Sequence, residues 1–314
     1  MSQPSAPSAP TGPPASDTTT MREIESQPAV WRTLLARRAE ATALLAAPGE
    51  RVLFVGCGTS AFVAHSLAVL REGAGLGESD WAYASEPGSP RAWDRVVAIT
   101  RSGTTTEVLE ALRGFRGGAG GTAGPRLVVV TAVDGMPAGE AADDVLVLAE
   151  ADESSVVQTR FPTSVLLLGR AAFGEDVAGL PERCAEALAG DRPDPAPFEH
   201  FVYLGRGWAL GLADEAALKI REAAQAWAES YPALDFRHGP VAVAGERSHV
   251  WVFGATPPAL ADDVRAVGAS VRESSHDPLV ELVLAQRLAA DLAALRGLDP
   301  DAPRHLTRSV VLDA

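Results

Sequence analysis

Two stretches of this chain read alike: VLFVGCGTSAFVAHSLAVL at 52–70 and FVYLGRGWALGLADEAALKI at 201–220. Each runs from a short apolar segment through a Gly-x-Gly turn into residues with helical apolar spacing. An apolar run too short for a helix and lacking polar alternation reads as a strand buried on both faces. Such strands belong to parallel sheets covered by helices on both sides. The repetition predicts two related α/β units in tandem.

At 314 residues and 46% hydrophobic content, the chain is long enough for two cores. In the first unit, strands are expected at 51–55, 95–99, 127–133 and 145–148, with helices over 61–71 and 106–113. In the second, strands are expected at 249–253 and near 269–272, and a helix over 278–296. Residues 21–47 predict a leading helical arm interrupted by Pro28, and 153–189 reads as largely helical, punctuated by Pro162 and Pro181. The segment GDRPDPAPFEH at 190–200 reads as a linker, and GGAGGTAG at 117–124 as a flexible loop. Residues 1–20, rich in Pro, Ser, Ala and Thr, offer too little apolar surface to repay ordering and are expected to form a disordered tail. The expected division is a tail over 1–20, the arm with the first unit over 21–190, and the second unit over 191–314.

A net charge of -14, from 27 basic and 41 acidic residues, repels nucleic acid and acidic membrane surfaces. A small anion can still be held in a locally positive pocket. Cys57 and Cys184 stand far apart without CxxC spacing, which argues against a disulfide framework or a zinc site and suits a reducing compartment. No long apolar run and no signal-like start is present, so a cytoplasmic location is expected. Neither a metal nor another cofactor is expected.

In parallel sheets, ligands sit beyond the carboxyl ends of the strands, where helix N-termini present free N–H groups. Gly56 to Ser60 and Thr100 to Thr105 both fall there. The second turn gathers hydroxyls, a glycine and an arginine at a helix start, the donors and charge that a terminal phosphate needs. A dinucleotide is disfavoured, because GCGTSA lacks the third glycine of GxGxxG and no acidic ribose partner ends the following strand. Lys219 is the sole lysine among 27 basic residues, which suggests a task that a guanidinium cannot copy.

The segments MREIESQP, FVGCGTS, ASE at 84–86, TRSGTTTEV, YLGRG, EAALKIRE, AESYPALDFRHGP and PRHLTRSV, in this order, resemble the isomerase half of glutamine-dependent glucosamine-6-phosphate synthases. Arg101 in TRSG, FRHGP, and ESSVVQTRF at 153–161 resemble instead the galactosamine or tagatose 6-phosphate isomerase and deaminase branch of the same double-SIS sugar isomerase family. This resemblance implies two tandem SIS domains, each a parallel sheet flanked by helices in a three-layer, flavodoxin-like sandwich. It implies a phosphorylated amino sugar as substrate, with Ser60, Thr100, Arg101, Ser102 and Thr105 on the phosphate. Cys57, Gly58, Thr59 and Val156 are implied as further substrate contacts.

Glu222 matches the carboxylate that moves a proton between C1 and C2. Lys219, three residues earlier on the same helix face, is placed to tune it. His238 matches a histidine that assists ring opening and comes from the neighbouring subunit, which implies a homodimer with shared active sites. The family's tail lysine, able to form an imine with the open-chain sugar, is matched by Arg308. A guanidinium with a pKa above about 12 is no amine nucleophile, so Arg308 is left to bind phosphate or a carbonyl oxygen. The synthases' N-terminal glutaminase domain, headed by a catalytic cysteine, is not expected in a sequence that opens MSQPSAP, and no glutaminase activity is expected. Proton abstraction from C2 leads to isomerisation, or to deamination of a free 2-amino sugar to the ketose phosphate. The alternatives are dehydration of an N-acetylhexosamine 6-phosphate through loss of its C3 hydroxyl, and sugar-phosphate sensing without turnover.

Overall fold

The computed structural model describes residues 15–88, 91–117 and 124–312. The leading arm folds as α1 (Thr19–Leu34), a 3-10 turn, the short α2 (Arg38–Ala41) and one π-helical turn ending at Ala46. Structure begins earlier than the composition suggests. The Thr18 side chain accepts from the Met21 N–H, and the Asp301 carboxylate accepts from the N–H groups of Thr19 and Thr20 at 2.6 and 2.7 Å. The expected tail therefore does not reach residue 20; residues 1–14 lie outside the described residues, as do 118–123 of the expected flexible loop. Pro28 does not interrupt α1 either, because it is buried inside the helix, where packing offsets its missing N–H.

The first unit comprises β1 (Val52–Gly56), α3 (Thr59–Gly73), β2 (Ser79–Tyr83), β3 (Arg95–Ile99), α4 (Thr106–Arg116), β4 (Arg126–Thr131), α5 (Pro137–Glu140) and β5 (Asp144–Val147). Two helices follow, α6 (Arg160–Ala172) and α7 (Leu180–Gly190). Pro162 and Pro181 fall in their first turns, where a missing N–H costs nothing, and residues 153–159 are not helical. The second unit contains β6 (His200–Gly205), α8 (Ala209–Ala224), β7 (Trp227–Pro232), β8 (Ser248–Val252), α9 (Leu260–Ala266), β9 (Ser270–Glu273) and α10 (Pro278–Leu295). Among the described residues these strands pair in parallel, in the orders β2-β1-β3-β4-β5 and β7-β6-β8-β9. This is the α/β fold of two parallel sheets expected from the sequence.

The two Gly-x-Gly turns do the same two jobs. A Cβ on Gly56 would lie 2.6 Å from the Ser60 backbone, and one on Gly205 would lie 2.2 Å from the Ala209 oxygen, so the following helix can start directly against the strand. Gly58 and Gly207 have φ of +52° and +55°, a region that favours glycine. The helices that leave these turns, α3 and α8, then pack on each other. A Cβ on Gly211 would lie 2.4 Å from the Phe62 oxygen, and the Ser66 hydroxyl donates to the Trp208 carbonyl at 2.8 Å.

One core runs through both units, joining Phe54 and Leu67 to Tyr203, Leu212 and Leu282. Alternate strand residues such as Leu53 and Val55 face outward under α4 and α5, while Val202 and Leu204 face α9 and Phe236. The sheets thus share a central helical layer. Arg71, fully buried, ties the start of the first sheet together. Its guanidinium donates to the carbonyls of Ala46, Ala47 and Glu50 on one side, and to those of Leu76, Gly77 and Glu78 with the Ser79 hydroxyl on the other. Among the described residues no helix is long and apolar enough to cross a membrane.

Candidate active site

The strand order reverses between β2 and β3 around β1, which opens a crevice beyond the carboxyl ends of β1 and β3. A cavity of about 30 Å³ lies there, lined by Cys57, Ser60, Thr100, Arg101, Ser102 and Thr105, with Gln158 and Arg308. The turn is preset from within: Thr100 Oγ1 accepts from the Gly103 N–H at 3.3 Å, and Ser102 Oγ from the Thr104 N–H at 3.3 Å. Gly103 has φ of +69°, and a Cβ there would lie 2.5 Å from Met136. Burial, then the charge of Glu107, pushes the Cys57 thiol up to about 11, so it stays a neutral wall.

Arg101 acts differently from a projecting phosphate clamp. It is 2% exposed, and its guanidinium donates to the carbonyls of Ser155 (2.9 Å), Val156 (3.4 Å) and Arg308 (2.9 Å), with the buried Glu153 at 3.9 Å. Glu153 in turn accepts from the N–H groups of Thr159, Arg160 and Phe161, capping α6 from upstream. Val156 therefore enters through its carbonyl, as an anchor for Arg101. The Gln158 Oε1 atom is buried without a partner among the described residues, and the cavity wall it forms was not anticipated from sequence.

The chain's last described segment covers this turn. Ser309 Oγ accepts from Ser102 Oγ at 3.1 Å and lies 2.8 Å from Thr104 Oγ1, and the Thr106 N–H donates to the Val310 carbonyl at 3.2 Å. Arg308 pairs with Asp152. Ser309 occupies the hydroxyls of Ser102 and Thr104, so an anion that takes up the Ser102 hydroxyl has to replace it there.

Helix α8 carries the second cluster. Lys219 Nζ is buried, 2.6 Å from Glu222 Oε2, 3.1 Å from Thr59 Oγ1 and 3.3 Å from Glu215 Oε1. Positions 215, 219 and 222 share one helix face, and only Glu222, with a side chain 20% exposed, opens outward. Glu215 escaped the sequence reading, although its spacing to Lys219 was visible in EAALKIRE. Its oxygens make a charge contact to the ammonium without an aligned hydrogen bond. Burial above all raises the Glu215 carboxyl to about 7, against the pull of Lys219, while the two carboxylates hold Lys219 above the ordinary lysine range despite its burial.

A carboxyl whose pKa rises from 4.5 to about 7 on folding favours the fold at low pH, and that contribution is lost as pH rises through about 7. Glu215→Gln should remove it. The drop in unfolding free energy between about pH 5 and about pH 8 is expected to shrink by on the order of 2 kcal/mol relative to the parent, read by urea titration at both values. Equal drops in the two proteins would show that Glu215 takes up no proton on folding.

Glu222 faces an open cavity of about 370 Å³, lined by Arg221, Gln225, Arg304, His305 and Leu306. His238 is not among its walls. It ends the 3-10 turn Asp235–His238 and is exposed, so within one chain it is not brought to Glu222. Gly58 is exposed, and Thr59 is held by Lys219.

No family model matches the chain. Among curated proteins it is 29% identical to a glutamine–fructose-6-phosphate aminotransferase (isomerizing) of Pyrobaculum aerophilum, over 70% of this chain and 44% of that protein. It is also 29% identical to those of Aeropyrum pernix and Thermus thermophilus, over 93% of this chain and 57% and 58% of theirs. The chain thus spans about half the length of the curated relatives it matches. Among solved structures, a glucosamine-6-phosphate deaminase of Thermotoga maritima superposes with a TM-score of 0.82 at 25% identity, covering 94% of this chain and all of that one (100%). The C-terminal domain of glucosamine-fructose-6-phosphate aminotransferase from Francisella tularensis (TM-score 0.76, 20% identity, 91% and 98% covered) shares the fold. So does tagatose-6-phosphate ketose/aldose isomerase from Escherichia coli (0.77, 22%, 97% and 98%). The chain resembles double-SIS phosphosugar isomerases over nearly its whole described length.

Proposed function

We propose, from this likeness and from the site geometry, that the chain is an enzyme acting on an amino-sugar 6-phosphate. Glu222 removes the C2 proton of the ring-opened sugar, and isomerisation or deamination to the ketose phosphate follows. The observation that carries the reading is the Lys219–Glu222 pair at 2.6 Å, its carboxylate open to a cavity of about 370 Å³ and its ammonium bonded to Thr59, next to Ser60 of the hydroxyl-lined seat. The phosphate sits on Ser60, Thr100, Ser102 and Thr105 once Ser309 is displaced, with Arg101 and Arg308 as the nearby positive charges. Lys219 orients Glu222 and is itself held in place by Glu215 and Thr59. With the sugar anchored at one end, C2 is presented to a carboxylate already aligned. His238 serves ring opening from a second copy of the chain, in a cytoplasmic homodimer.

The test is incubation with glucosamine 6-phosphate and with its N-acetyl form. The expected result is ammonia and ketose phosphate from the free amine. An ultraviolet-absorbing product from the acetylated sugar would replace this outcome with dehydration, and tight binding without any product would make the protein a sensor. Ser102→Ala should raise KM about 10-fold or more by deleting one hydrogen bond to a charged group, with kcat within about threefold. A fall in kcat at unchanged KM would remove Ser102 from the anion seat.

A further inference from the structure

We propose that His305 is a second proton-transferring residue of the Glu222 cavity, supplied by the same chain, and that it protonates the carbonyl oxygen of the open sugar while Glu222 takes the C2 proton. The inference rests on the reading of Glu222 as the base. The cavity beyond Glu222 is walled by Arg221, Gln225, Arg304, His305 and Leu306. Of these side chains, arginine holds its proton too tightly to deliver it, glutamine and leucine have none to give, and imidazole exchanges one near neutrality. Lys219 is engaged by Glu215, Glu222 and Thr59. Among the described residues, no hydrogen bond or ion pair engages the His305 ring, which is exposed.

The backbone supports the assignment. His305 has φ of +62°, a left-handed conformation that costs a non-glycine residue on the order of 1 kcal/mol and persists only where its surroundings impose it. Here the chain is clasped on both sides. Asp301 is bound to the start of α1 through Thr19 and Thr20, and beyond His305 the Arg308 carbonyl is held by the buried Arg101, a contact independent of Ser309. The strained residue is thus strung between the arm and the anion seat, in the wall of the cavity that Glu222 faces.

In the step assigned to it, the C2–H bond breaks and its proton passes to Glu222. The bonding pair forms the C1=C2 double bond, and the carbonyl π pair moves to oxygen, which takes a proton from the His305 imidazolium. A neutral enol and a neutral imidazole remain, and nothing is oxidised or reduced. Pairing a carboxylate base with an imidazole at the carbonyl spares the cavity a developing oxyanion. This differs from the ring-opening role proposed for His238, which precedes it.

The test follows turnover of glucosamine 6-phosphate, or of its N-acetyl form if that is the sugar consumed, and exchange of the C2 hydrogen in deuterium oxide by proton NMR. His305→Asn keeps a residue that tolerates the left-handed backbone but removes the proton. It is expected to slow both readouts about 100-fold or more, with KM within about threefold. His305→Gly, free to adopt the same φ, should recover part of the lost rate when imidazole is added. Glu222→Gln is run beside them. His305→Asn at near-parental rate with Glu222→Gln inactive would overturn the inference alone, as would loss in both His305 variants with no imidazole rescue. Parental rates in all variants would remove the base, and the inference with it.

Discussion

Glu222→Gln is expected to lower kcat by about 10²- to 10⁴-fold while affinity for the sugar phosphate stays within about threefold. The reason lies in how the two halves divide the work. The anion seat is built by the β1 and β3 turns of the first unit, whereas Glu222 stands on α8 of the second. Glutamine fills the same volume and can still accept a hydrogen bond from Lys219, so the buried ammonium keeps a partner and Glu215 remains beneath it. What it cannot do is take a proton from carbon. Steady-state kinetics and titration calorimetry with the same sugar phosphate separate the two quantities. Loss of binding in step with turnover would instead make Glu222 a structural member of the α8 ion cluster.

Arg71→Met is expected to lower the unfolding free energy by about 3–5 kcal/mol, with kcat of the folded protein unchanged. The guanidinium is fully buried and is the common donor to backbone carbonyls before β1 and before β2, including Ala46 at 2.9 Å and Ala47 at 2.5 Å. Methionine fills much of the space and leaves those carbonyls without a donor, the Ala46 and Ala47 carbonyls in buried surroundings. The affected loops lie at the amino ends of the strands, opposite the site, which is why stability should move and catalysis should not. Chemical denaturation measures the first and turnover at low denaturant the second; a loss under about 1 kcal/mol would mean that the carbonyls find water. Such a result would take away the keystone role of Arg71.

Much of the fold is legible because it is written locally. The apolar runs at β1, β3, β4, β6 and β8 are buried throughout or nearly so, and a strand buried on both faces needs no partner to be recognised. The edge strands β2 (SDWAY) and β7 (WAESYP) left no such signal, because half-exposed edges carry mixed polarity. Thr19 and Thr20 read as tail because the group that fixes them, Asp301, lies 281 residues away from Thr20.

The site divides the same way. From sequence alone come the hydroxyl-bearing turn at a helix start, the solitary lysine, and the three-residue step from Lys219 to Glu222, since turn chemistry and helical period act over a few residues. Tertiary structure alone decides that α3 and α8 cross closely enough to set Thr59 on Lys219. It decides that Arg101 braces carbonyls, that Glu215 is buried deeply enough to titrate near 7, and that residues 301–310 strap the seat and set His305 in the wall of the Glu222 cavity. Each of these depends on burial and on contacts that close loops of tens to hundreds of residues, and no local pattern of amino acids encodes the dielectric or the neighbour that such closure brings.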